Sequence, residues 1–161
     1  MNLRTVLAIL LTLAVAASAQ QAKNEAPAPA PVPEQIAKAK TVFISNAGAD
    51  GAGTIYSGGD ERPYNQFCAG MKSWGRYKLT SAPAGSDLVF EFLANLGPTG
   101  VVGTQLRLRI LDPSTHVVLW TLNVHVKPAA KRATSDKNFD DAMAQLVAAV
   151  GDLAARPVAA Q

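Results

Sequence analysis

Residues 105–111 read Gln105-Leu106-Arg107-Leu108-Arg109-Ile110-Leu111, and residues 116–126 read His116-Val117-Val118-Leu119-Trp120-Thr121-Leu122-Asn123-Val124-His125-Val126. Between them stands Asp112-Pro113-Ser114-Thr115, and a proline after aspartate starts a turn well. In the first arm Leu106, Leu108 and Ile110 alternate with Arg107 and Arg109, the period of two that belongs to a strand. In the second arm Val118, Trp120, Leu122, Val124 and Val126 are expected on the dry side. Thr121, Asn123 and His125 are expected on the wet side. A hairpin with one dry and one wet face belongs to an antiparallel sheet covered on one side only.

The cover is visible on either side of the hairpin. Upstream, Pro63 can open a helix, because proline is tolerated in the first turn. Tyr64, Phe67, Cys68, Met71 and Trp74 then recur at helical spacing, and Gly75 suits a left-handed end. Downstream, a helix is expected from about Asn138, with Asn138 as its cap and Asp140 and Asp141 in its first turn. Its apolar stripe is Phe139, Met143, Leu146, Val147, Val150 and Leu153. Further strands are expected at Thr41–Ser45 and Leu88–Leu93, with a short one at Arg76–Thr80. The order is β-α-β-β-β-β-α. It predicts an α+β domain: a mostly antiparallel sheet of four to five strands with two amphipathic helices packed on one face.

The amino terminus points to export. Arg4 precedes an apolar run, Val6 to Ala17, which ends in Ala17-Ser18-Ala19. Charge, apolar core and small-residue site in that order predict a signal peptide over residues 1–19. The run is short of the roughly 20 apolar residues that span a membrane. Residues 20–40, with Ala26-Pro27-Ala28-Pro29-Ala30-Pro31-Val32-Pro33 among them, are expected to form an extended, flexible tether. The domain is expected over 41–155, followed by a disordered tail over 156–161. The expected location is the periplasm, or secretion. Cys68 is the single cysteine, so the domain is held by its core and not by disulfides. The formal charge of +3 is small and dispersed, which argues against a nucleic-acid or membrane-surface partner.

Three stretches carry a resemblance: Trp74-Gly75-Arg76-Tyr77-Lys78-Leu79, Ser86-Asp87-Leu88-Val89-Phe90-Glu91, and Ile110 to Trp120. Together they resemble the small periplasmic α+β domains of the TolB amino-terminal, LpoB and CsgG type. The resemblance spans about Thr41 to Leu153. It implies docking to envelope partners and not catalysis, and it brings no site residue with it. The chain has Ser86 where that pattern usually has alanine, and His116 where it usually turns on glycine.

No catalytic arrangement accompanies this pattern. The glycine-rich loop 46–62 sits between a strand and a helix but has no G-K-[ST] phosphate motif. His116 and His125 stand about 30 Å apart along an extended strand, too far to share a metal. Asp87 and Glu91, about 13 Å apart on one strand, exceed a glycosidase carboxylate pair. No cofactor is expected. Cys68 reads as a buried thiol or a reactive one. Two surfaces are candidates for interaction. One is the glycine-rich loop with Tyr56, Asp60 and Arg62; the other is the wet sheet face with Arg107, Arg109, Asn123 and His125. The leading expectation is an exported, non-enzymatic domain that docks to an envelope protein or component. The alternative is a small hydrolase or ligand-binding protein sited at loop 46–62, and an oligomer-forming module is a third.

Overall fold

In the computed structural model, which describes residues 30–50, 56–95 and 104–156, the expected strands and helices appear in the expected order, preceded by a short helix that the sequence reading had placed in the tether. They are helix α1 (Glu34–Lys38), strand β1 (Thr41–Asp50), helix α2 (Arg62–Trp74), strand β2 (Lys78–Thr80), strand β3 (Leu88–Asn95), strand β4 (Gln105–Leu111), strand β5 (Val118–His125) and helix α3 (Arg132–Ala155). The strands form one sheet in the order β2-β1-β3-β4-β5. The α+β class holds, and the sheet is mixed. β3, β4 and β5 pair antiparallel, whereas β1 runs parallel to both β2 and β3. The parallel pair β1–β2 follows from the connection: a helical crossover through α2 returns the chain in its starting direction.

The dry face is built row by row across the sheet. Ile44 stands beside Phe90, and Phe90 beside Ile110; Phe92 stands beside Leu108, and Ala94 beside Leu106. All of these are buried, and Phe67 of α2 stacks on Phe92 with ring centroids 4.8 Å apart. Phe139, Met143, Leu146 and Val150 of α3 complete the core. Gly75 ends α2 at φ 73°, and its N–H bonds Met71 O at 3.2 Å, the left-handed end that its type favours. The two long helices approach closely at Gly70, where a Cβ would lie only 2.9 Å from Val147 Cγ2.

Several expectations need correction. The tether predicted over 20–40 gives way to the domain by Val32, because Val32 and Ile36 are only 3% and 1% exposed. Ile36 supplies α1 with a buried face. The carboxylate of Asp87 then holds the start of β1, accepting bonds from the N–H groups of Lys40 and Thr41, each at 2.8 Å, and from the Thr41 hydroxyl at 2.9 Å. Those bonds, Lys40 first, hold the Asp87 carboxyl below its ordinary range. β1 runs on to Asp50, five residues beyond the predicted end. α3 begins at Arg132 and not at Asn138, so Asp140 and Asp141 lie inside the helix and Asn138 does not cap it. The Asn138 amide donates instead to Lys127 O at 2.9 Å.

In the second arm of the hairpin the pairing shifts between Ile110 and Leu111. Ile110 stands opposite Trp120, but Leu111 stands opposite Val118. Leu119 is the extra residue of a bulge, and a one-residue insertion moves what precedes it to the other face. Val118, expected on the dry side, is therefore exposed, and Trp120 and Leu122 are only partly buried on the outermost strand. His116 turns the hairpin at φ 59°, the left-handed position for which glycine is the usual choice. The predicted signal peptide, residues 20–29 of the tether, loop residues 51–55 and 96–103, and the tail from 157 lie outside the described residues.

Candidate functional site

The predicted loop surface is a clamp. Tyr56, expected as a contact residue, is instead buried, with its ring 5.1 Å from that of Phe139. Burial pushes its phenol up, against an opposing hydrogen bond with Thr104. Arg62 reaches across from α2 to α3. Its guanidinium donates to Asp136 at 2.6 Å, to Asp140 at 2.7 Å and to the backbone carbonyl of Ser57 at 2.7 Å. It also lies over the Phe139 ring, 4.9 Å from the centroid. Burial would lower its pKa, but the two carboxylates outweigh that and leave it raised. Ser57 donates to Asp136 through its hydroxyl at 2.7 Å and its N–H at 2.8 Å. These bonds, with that of Arg62, hold the Asp136 carboxyl down to about 2. Asp60 is exposed.

Ser57, Gln66 and Asp136 were not singled out from sequence, and Asp140 was read only as a first-turn acid of the last helix. The signal was there: Arg62 and Gln66 are four apart on one helix, and Asp136 and Asp140 are four apart on the other. Gln66 completes the match by donating to Asp140 at 2.9 Å. The arrangement ties the chain entering α2 to the start of α3. Its polar groups are consumed by one another, so it suits structure better than recognition.

The wet sheet face is assembled as expected. Glu91, Arg109 and Thr121 stand in one row, and Leu93, Arg107 and Asn123 in the next. Arg109 donates to Glu91 at 2.6 Å, and Arg107 donates to Asn123 at 3.1 Å. His125 follows in the third row, beside Gln105. Thr121, Asn123 and His125 are exposed, and Glu91, Leu93, Arg107 and Arg109 partly so. The helices pack on the other side. Arg107, Arg109, Asn123 and His125 are thus brought onto one surface, whereas Tyr56 and Arg62 are drawn into the clamp.

A third feature has no counterpart in the sequence reading. A groove of about 1020 Å³ runs between α2 and α3, past Ala69, Gly70, Ser73, Ala144, Ala148 and Gly151. Cys68 is partly buried, and burial raises its thiol, away from a reactive thiolate. Among the described residues no group of three or more His, Cys, Asp or Glu is placed to hold a metal ion. No helix among them is long and apolar enough to cross a membrane.

No protein-family model matches this chain, and no curated protein matches it. Solved structures of similar shape include a point variant of the PelC dodecamer from Paraburkholderia phytofirmans. It has a TM-score of 0.49 and 14% identity, covering 76% of this chain and 94% of that chain. A second PelC dodecamer structure from the same organism has a TM-score of 0.43 at 14% identity, covering 80% and 96%. A Xanthomonas campestris protein of family DUF330 has a TM-score of 0.46 at 14% identity, covering 80% and 89%. Likeness at that level carries no information on activity or assembly. Nor does it bear on the resemblance to the TolB, LpoB and CsgG type.

Proposed function

We propose that this chain is an exported, non-enzymatic domain that docks to a cell-envelope protein or component through the open face of its sheet. The observation that carries the proposal is the surface itself. Arg107, Arg109, Thr121, Asn123 and His125 share one face, on the side of the sheet away from the three helices. Exposed ion pairs of the Arg109–Glu91 kind contribute about 1 kcal/mol or less, so a partner can displace them at little cost. The leader pattern supports the compartment.

The test is a photo-cross-linking amino acid in place of Arg107, with Ser73 on α2 as the control position. In cells expressing the full chain, Arg107 should give an adduct with an envelope species other than a second copy of the chain, and Ser73 should not. Equal adducts from both positions, or none from Arg107, would count against the reading.

The alternative, a small hydrolase or ligand-binding protein at loop 46–62, calls for a cavity joining that loop to titratable groups. The inter-helix groove is lined by none of residues 56–61, and its Asp140 is already engaged by Arg62. No observation favours that alternative over docking.

A further inference from the structure

Sheets have edges, and natural proteins protect them. An outermost strand shows a row of unpaired N–H and C=O groups, which invites another chain unless it is short, charged, interrupted by proline or covered. One edge here obeys that rule. β2 is three residues long and begins with exposed Lys78.

The other edge does not. β5 is eight residues long, and from His116 to Val126 the chain holds no Asp, Glu, Lys, Arg or Pro. Val126 N–H bonds Thr104 O at 3.0 Å, which sets the phase of the ladder with β4. In an antiparallel pair, bonded and non-bonded residue pairs alternate. Val124, Leu122 and Trp120 therefore turn their backbone groups toward β4, and Thr121, Asn123 and His125 turn theirs away. Those three residues are exposed. Val117 and Val118, at the end of the same edge, are 57% and 38% exposed, the large hydrophobic side chains most open to water among the described residues.

We infer that β5 pairs with β5 of a second copy of this chain, antiparallel about a two-fold axis, to make a continuous ten-stranded sheet. The strand suits itself. With the axis at Thr121, residues 119–123 of the two copies overlap in register, up to the bulge at Leu119. Trp120 of each copy meets Leu122 of the other, joining two side chains that the single domain buries only in part. On the wet face Thr121 meets Thr121, a polar pair without charge. At the flank, Lys127 lies beyond the overlapping residues. α3 borders His125 with Asn138, Asp141 and Gln145, and Asp141 is paired with Lys137 at 2.7 Å. An isologous contact of this kind closes on itself and leaves only the short β2 edges exposed. The inference stands apart from the envelope partner, although pairing would double the open face.

The test is the mass of the purified protein, expressed from the full chain, by sedimentation velocity across a concentration series. The wild type should pass from monomer to dimer. Thr121→Lys sets two lysines face to face on the axis and should weaken association at least about tenfold. Asn123→Pro should abolish it. Its lost N–H faces away from β4, a site where an edge strand accepts proline. A circular-dichroism melt close to that of wild type checks that each variant is folded. Hydrogen exchange gives a second readout on the unaltered chain, since the amides of Thr121, Asn123 and His125 should gain protection as concentration rises. A chain that stays monomeric, a dimer that ignores Thr121→Lys, or edge amides whose exchange is independent of concentration overturns the inference.

Discussion

Two arginines of this domain have the same nominal partner and opposite roles. Arg62 and Arg109 each bring a guanidinium nitrogen to 2.6 Å of a carboxylate. Arg62 has a side chain 19% exposed, is held by two aspartates and a backbone carbonyl, and lies on an aromatic ring. Arg109 is 42% exposed and, among the described residues, is paired with Glu91. The difference lies in the surroundings. Arg62 bridges two helices over the core, whereas Arg109 lies on a sheet face away from the helices. One is committed to the fold and the other is available to a partner.

The comparison is sharpest under Arg62. Phe139 is fully buried beneath the guanidinium and Tyr56, so Phe139→Ala should cost about 3–5 kcal/mol. Urea unfolding would check it, and a loss below about 1 kcal/mol would mean that the clamp has no aromatic floor. Arg62→Met keeps much of the aliphatic stem and removes the charged hydrogen bonds. It should cost about 2 kcal/mol by the same measurement. If Arg109→Ala cost as much, the distinction between the two arginines would fail.

The clamp should also show a pH signature. The Asp136 carboxyl is held down to about 2 in the folded chain, below the usual carboxylate range, first through the Ser57 bonds and then through Arg62. A group lowered on folding adds stability above its unfolded value, and that stability is lost as pH falls through the folded value. The urea midpoint of wild type should therefore fall toward that of Asp136→Asn between about pH 4 and pH 2. A constant gap across that window would show that the carboxyl is not held down. The smallest effect belongs to the open face. Arg109→Ala should change stability by less than about 1 kcal/mol, while the photo-cross-link from position 107 should weaken if the face binds a partner.

Much of this domain was legible from local pattern. Alternation at Gln105–Leu111 and Leu88–Leu93, and the helical stripe from Phe67 to Trp74, place the core without reference to anything distant. The wet face followed from the same alternation, so Arg107, Arg109, Asn123 and His125 were grouped before any fold was known. The clamp was not. Arg62 and Asp136 are 74 residues apart, and spacing within each helix names the pairs but not which helix meets which. The bulge at Leu119 was equally out of reach, because an alternating string is read in one phase until a partner strand shows the shift.

The division has one physical origin. Periodicity is a property of a segment and its solvent preference, so the class, the order of the elements from β1 to α3 and the alternation of most strand residues were set by sequence alone. Which strands lie side by side, where Ile36 finds its cover, that Tyr56 turns inward, and that β5 is the last strand of the sheet depend on which distant surfaces meet. Those were decided only when the helices packed against the sheet, where burial at one position is purchased by contacts from another.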